Sequence, residues 1–283
     1  MALPIYATPF QRAWHYTFWF ICGLVLLFLM APILVIVPLS FNAEPYFSFT
    51  QGMLSLDSEA YSLRWYEDFF SNKMWLLAVK NSIYIGVAST CLATVLGTLA
   101  ALGLSRQHMP YRGTIMGLLI SPMIVPLIIT AAGIYFFYAR LGLAGNLWGL
   151  ILAHTVLGTP FVVITVTATL SGFDISLIRA GLSLGASHSR IFFKVIMPLI
   201  LPGVISGALF AFGTSFDEVV VVLFLSGAEQ TTIPRQMWSG IREQISPTIL
   251  AVATLLVGLS ILMLTTIELL RRRSERLRGQ SPG

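Results

Sequence analysis

Long apolar runs separated by short polar stretches set the pattern of this chain. The runs extend over about 16–39, 76–104, 114–138, 147–170 and 248–270, and a further one begins near Leu201. Each approaches or exceeds the ~20 residues that a helix needs to cross the hydrocarbon core of a bilayer. None alternates apolar and polar positions as a membrane β-strand would. The pattern predicts an all-α, polytopic membrane protein with six transmembrane helices.

The first run is too long for a signal-peptide core and has no small-x-small cleavage site, so it is expected to remain as a span, bent near Pro32 and Pro38. From Phe41 to Trp75 the chain is at its most polar, with Glu44, Asp57, Glu59, Glu67 and Asp68. Within this stretch Ser62 is placed to cap a short helix with Leu63, Tyr66, Phe69 and Phe70 on one face. Such a helix suits a position along the membrane surface, with Trp65 and Trp75 at headgroup level. The third run contains Pro122 and Pro126 and the fourth contains Pro160. Prolines within spans fit either simple kinking or the lining of a pathway. Gly113-x-x-x-Gly117 and Gly203-x-x-x-Gly207 allow close helix approach and read as packing.

Composition sharpens the class. With 56% hydrophobic and 10% charged residues, the chain is too apolar for an ordinary soluble domain. Its formal charge of +5 does not point to nucleic acid, because the basic residues sit at the ends of the runs. Arg271, Arg272, Arg273, Arg276 and Arg278 follow the last run directly. With both termini in the cytoplasm, eleven of the 17 basic residues fall inside, among them Arg12, Arg106, Arg112, Arg179, Arg190 and Lys194. The acidic segment then faces out, and the opposite topology would reverse the inward bias of the basic residues that the positive-inside rule expects. Cys22 and Cys91 lie in apolar runs and read as small hydrophobes.

Enzyme chemistry finds no support. Gly181-Leu-Ser183-Leu-Gly185 matches the nucleophile-elbow pattern, but that motif needs a preceding strand, a following helix and His and Asp partners. No catalytic residue is assigned. His15, His108, His154 and His188 have no ligand-like spacing, so no metal site is expected. The only lysines, Lys73, Lys80 and Lys194, stand outside any phosphate-cradling Gly-Lys-Ser/Thr pattern. If transport is ATP-driven, hydrolysis belongs to another subunit.

The segment from Arg179 to Pro198 resembles the cytoplasmic loop of binding-protein-dependent ABC importer permeases. That loop reads Glu-Ala-Ala, three residues, Gly, nine residues, Ile-x-Leu-Pro. The counterparts here are Arg179-Ala180-Gly181, Gly185, Val195 and Met197-Pro198, with Arg179 replacing the acidic residue and Gly181 the second alanine. The resemblance covers roughly 76–270 and implies a type I ABC importer permease fold. It also implies a coupling helix, at about Ala180 to Ala186, that docks on a pair of ATPase subunits. Arg179, Ala180, Gly181, Ser183, Leu184, Gly185 and Ala186 would carry that contact. Pro198 is expected to start the next span.

Asp217 and Glu218 lie in the apolar run after this loop. At 1.5 Å per residue from Gly203, Asp217 falls roughly 21 Å into a core of about 30 Å, in its outer half. A carboxylate there is costly and usually faces a cavity, where it would attract a cationic solute. An ion pair with a neighbouring helix is the structural alternative. Adjacent residues on a helix point about 100° apart, so one of the two is expected to face the path, and Asp217 is the choice.

Ser215-Phe-Asp217-Glu218-Val-Val-Val and Ile233-Pro-Arg-Gln-Met-Trp238-Ser-Gly-Ile-Arg-Glu resemble the spermidine/putrescine branch of these permeases. Asp217, Glu218, Ser215 and Trp238 are the residues expected along the substrate pathway. Met237, Trp238, Ile241 and Ile245 recur at helical spacing and suit a gate, a docking surface or an interfacial anchor. Expected partners are the ATPase pair, a second, related permease in a heterodimer, a periplasmic substrate-binding protein and the bilayer, with no nucleic acid. ATP and magnesium belong to the ATPase, and this chain binds no cofactor of its own. Three regions follow: 1–75, a first transmembrane helix with a periplasmic segment; 76–270, the permease core with its coupling loop at 171–200; and 271–283, a basic cytoplasmic tail. The setting is the bacterial inner membrane. Other cargoes (opines, amino-acid derivatives, aminophosphonates or iron) and a passive channel are the competing readings.

Overall fold

The computed structural model of the chain describes residues 8–106, 109–174, 176–243 and 246–277. His108, Ile245 and Arg278 lie outside the described residues, as do the side chains of Arg271, Arg272, Arg273 and Arg276. Among the described residues five helices are long and apolar enough to cross a membrane, or six if one bent pair makes a single span. The helices divide between two compact units, Met1–Ser71 with Ile245–Met263 and Asn72–Gln244 with Leu264–Gly283.

The first unit opens with α1, Pro9–Leu39, which runs unbroken through Pro32 and Pro38. Pro9 occupies the first turn, where its missing N–H costs nothing, and Thr8 and Gln11 form a reciprocal capping box. No residue of its most apolar window is buried. Beyond it Asn42, fully buried, organises the polar segment. Its Nδ2 donates to the carbonyls of Tyr46 and Ser48, and its Oδ1 accepts from the Glu44 N–H. The short helix α2, Gln51–Leu54, and a 3₁₀ turn at Ser58–Ala60 lead to α3, Arg64–Ser71. The Ser62 hydroxyl accepts from the Arg64 N–H as expected. The anticipated apolar face is split, since Phe69 is buried while Leu63 and Phe70 are exposed. The Trp65 indole N–H donates to the Asn42 carbonyl, and the Arg64 guanidinium lies 4.1 Å from its ring.

The second unit begins with α4, Lys73–Leu104. Trp75, expected at headgroup level, is buried. The third run differs from expectation, because it folds as α5, Arg112–Ile124, and α6, Leu127–Leu141, bent by 102°. Val125 precedes Pro126 and is held in an extended conformation, which ends the helix there, whereas Pro122 is absorbed within α5.

At the centre of the second unit lies α7, Leu147–Ser171, with 67% of its span window buried, against α4 and the later helix α10, Met197–Asp217. Lipid gives no hydrophobic drive for this association, so close backbone approach has to hold it. A Cβ on Gly207 would fall 2.8 Å from the Val162 Cα, and one on Gly97 2.7 Å from the Val162 Cβ. Gly113 and Gly117 meet nothing within 4 Å, so only the Gly203/Gly207 pair packs against a neighbour within the chain.

Candidate functional site

Two places in the second unit bring the predicted residues into defined geometry. The first follows α7. Helix α8 spans Ser176–Ser183 and starts at an Asp174 carboxylate that accepts from both the N–H and the hydroxyl of Ser176. The Ser176 hydroxyl, then its N–H, hold the Asp174 carboxyl below the ordinary range against an opposing effect of desolvation, and Arg179 adds the smallest contribution, also downward. At the other end the chain turns sharply. The Ala186 N–H donates to the Gly181 carbonyl (3.0 Å) and the Gly185 N–H to the Leu182 carbonyl (2.9 Å). This is a Schellman closure, and it needs the left-handed conformation that Gly185 adopts at φ 78°. Helix α9, His188–Ile191, then starts from a Ser187 cap.

The helix expected at about Ala180 to Ala186 therefore lies N-terminal to that position. Arg179, Ala180, Gly181 and Ser183 are helical, Leu184 and Gly185 form the turn, and Ala186 follows it. Leu184 is 87% exposed at the tip, with Leu177 and Leu182 also exposed on the same segment. The departure at Gly181 has a packing reason, since a Cβ there would come 3.1 Å from the Ile191 side chain. Nor does Pro198 start a span. A π-helical stretch, Phe192–Ile196, carries α9 into α10, giving a span over His188–Asp217. Pro198 offers no N–H to the preceding turn, and the wider π turn accommodates that loss.

The second place is the end of α10. The apolar run expected to continue through Asp217 and Glu218 breaks there. α10 ends at Asp217, Glu218 is extended, and a short helix, α11, Val220–Leu225, follows. The two carboxylates thus meet opposite helix ends. Glu218 is buried and its Oε1 accepts from the Val221 N–H (2.8 Å), neutralising the positive end of α11. Asp217 is exposed in the last turn of α10, where the terminal carbonyls carry partial negative charge and the turn itself holds no basic residue. A carboxylate is unfavourable at that end, so its placement creates a local excess of negative potential.

Ser215, two residues before Asp217, is buried. Its hydroxyl lies 2.7 Å from His154 Nδ1 on α7 and 3.1 Å from the Ser89 hydroxyl on α4. This polar junction ties the end of α10 to both neighbours. Sequence reasoning tested His154 only as a metal ligand and missed it; a lone histidine within an apolar run is the signal that was there. Asn81 was likewise missed. Its Nδ2 donates to the carbonyls of Glu229 and Thr231, and Ser82 accepts from the Ile233 N–H, which fixes the approach to α12, Ile233–Glu243. Arg235 binds back onto the Ser226 and Gly227 carbonyls. Trp238, on this amphipathic helix, is 46% exposed together with Ile241.

Residues 93–276 match the family model for the binding-protein-dependent transport system inner membrane component. The spermidine/putrescine transport system permease protein PotC of Haemophilus influenzae is 32% identical over 87% of this chain and 93% of its own length. The putrescine transport system permease protein PotI of Escherichia coli K12 is 31% identical over 82% of both chains. Among solved structures, a chain of a bacterial ABC transporter involved in the import of the acidic polysaccharide alginate aligns with a TM-score of 0.71 at 16% identity, covering 94% of this chain and 99% of that one. That likeness concerns the fold, which is the type I ABC importer permease fold.

Proposed function

The chain belongs to the family of binding-protein-dependent transport system inner membrane components, multi-pass proteins of ABC importers, and from that premise we propose that it is the permease subunit through which polyamines enter the cytoplasm. The observation that carries the reading is the match to spermidine/putrescine and putrescine permeases along more than four-fifths of the chain, α8 and the α10–α11 break included. Local chemistry supports the cargo. An exposed Asp217 at the negative end of α10 attracts a cation, and broken helix ends of this kind recur at ion sites in transporters.

In this reading the cargo arrives from a periplasmic binding protein, and both termini of the permease lie in the cytoplasm. A second, related permease completes the path, and a pair of ATPase subunits grips the exposed turn at Leu184 and Gly185. Closure of the ATPases pushes α8, and the Ser187 cap and π stretch pass that motion to the span ending at Asp217. Asp217 and Trp238 meet the cargo, Ser215 holds the end of α10 in register, and Glu218 maintains the break that frees Asp217. Hydrolysis, with its ATP and magnesium, takes place on the partner subunits.

The test is uptake of labelled putrescine and spermidine into proteoliposomes holding the assembled complex, with binding protein outside and ATP inside. Saturable uptake that requires both is expected. Absence of uptake for either polyamine under those conditions overturns the cargo, and uptake without ATP overturns the coupling.

A further inference from the structure

The second unit holds a cleft of about 690 Å³ beside α8, walled by the C-terminal ends of α4 and α7, the start of α5, α8 itself and the π stretch. Arg106 and Arg112 line it, and no acidic side chain does. The carboxylate next in sequence, Asp174, is already engaged by Ser176. Arg112 is also the first residue of α5, whose preceding Tyr111 sits in a left-handed conformation and supplies no side-chain cap. The first N–H groups of that 13-residue helix, which no N-cap side chain meets, therefore add positive potential beside Arg112. Thr167 contributes a buried hydroxyl oxygen with no partner among the described residues. The remaining wall is apolar, with Phe173, Ile178 and Phe192 prominent.

Two guanidinium groups and an open helix N-terminus against an apolar wall select an anion with a hydrocarbon tail. A free phosphate would satisfy only the polar half. Both arginines stand at span ends, the depth at which phospholipid headgroups lie. We propose that this cleft binds the phosphoryl headgroup of an anionic phospholipid, with the first part of an acyl chain against Phe173, Ile178 and Phe192. Ile178 belongs to α8 and Phe192 to the π stretch, so an occupied cleft braces the segment that meets the ATPases. The site rests on the reading of α8 as the cytoplasmic coupling helix for its orientation, while binding itself is independent of the cargo.

Native mass spectrometry of the assembled, detergent-solubilised complex tests it, with phosphatidylglycerol, phosphatidylcholine and inorganic phosphate titrated separately. Retention of phosphatidylglycerol over phosphatidylcholine is expected. Arg106→Gln and Arg112→Gln should each weaken that retention about fivefold, and Arg140→Gln, a charge removed at the end of α6, should leave it unchanged. Equal retention of the two lipids, or unchanged phosphatidylglycerol binding when both cleft arginines are replaced, overturns the proposal. Displacement of the lipid by millimolar phosphate, with the same arginine dependence, would make a soluble anion the ligand and also overturn it. Polyamine uptake by the same preparations is a separate readout, so a lipid failure with uptake intact leaves the transport reading standing, and the converse leaves the lipid site.

Discussion

Asp217 and Glu218 are neighbours with the same functional group, and opposite helix ends give them different work. Glu218 cancels the positive end of α11, whereas Asp217 adds its charge to an end that is already negative. The second critical residue is Gly185. A side chain there would meet no neighbour, so the cost of Gly185→Ala is conformational, about 1–2 kcal/mol for a left-handed residue with a Cβ. Uptake per ATP hydrolysed should fall in that variant while complex assembly persists, and an unchanged ratio would remove the turn from the coupling path. At the start of α8 the sign of the pH effect follows from Asp174. Its carboxyl is held low by Ser176, so its contribution is present above the ordinary carboxylate value and lost as pH falls through the lowered one. Amide exchange across α8 should therefore be insensitive to this group near neutrality and accelerate only in acid. Asp174→Ala should exchange faster than wild type near neutrality and converge with it in acid, and a midpoint near neutrality would contradict the assignment.

At the scale of elements, glycines decide which helices pack. Gly203 and Gly207 lie against Thr165, Thr169 and Val162, while Gly113 and Gly117 face open space. Gly207→Ala must push backbone apart and should destabilise by about 1–3 kcal/mol, whereas Gly117→Ala should stay within about 0.5 kcal/mol. Denaturation of the purified permease distinguishes them, and equal effects would refute the close approach of α7 and α10. The apolar runs were legible in the sequence because bilayer thickness dictates their length. The breaks were less so. Proline at 126 ends a helix and proline at 122 does not, and the difference lies in whether the preceding residue takes an extended conformation. The helix expected at about Ala180 to Ala186 was placed too late because its start at Ser176, set by the Asp174 carboxylate, carries no pattern of apolar positions; the turn at its end comes at Leu184 and Gly185.

For the whole molecule, the family pattern around Arg179 to Pro198 made the importer class readable, since its spacing reflects a helix, a turn and a span in fixed order. The pathway was only partly readable. Asp217 was chosen on the assumption of a continuous helix with side chains 100° apart, whereas the helix ends there and leaves Asp217 exposed. The junction of Ser89, His154 and Ser215 was not readable, because it joins three helices far apart in sequence. Similarity of backbone alone could not assign the cargo either, because the alginate importer shares this fold and carries an acidic polysaccharide. The negative end of α10 is what ties the account to a cation. The direct test is ATP-dependent putrescine uptake by the assembled complex, comparing wild type, Asp217→Asn and Glu218→Gln. The account predicts a loss of about tenfold or more in Asp217→Asn, the scale of one charged hydrogen bond. Glu218→Gln, which keeps an acceptor for the Val221 N–H, should retain uptake close to wild type. Wild-type uptake in an intact Asp217→Asn complex would contradict the account.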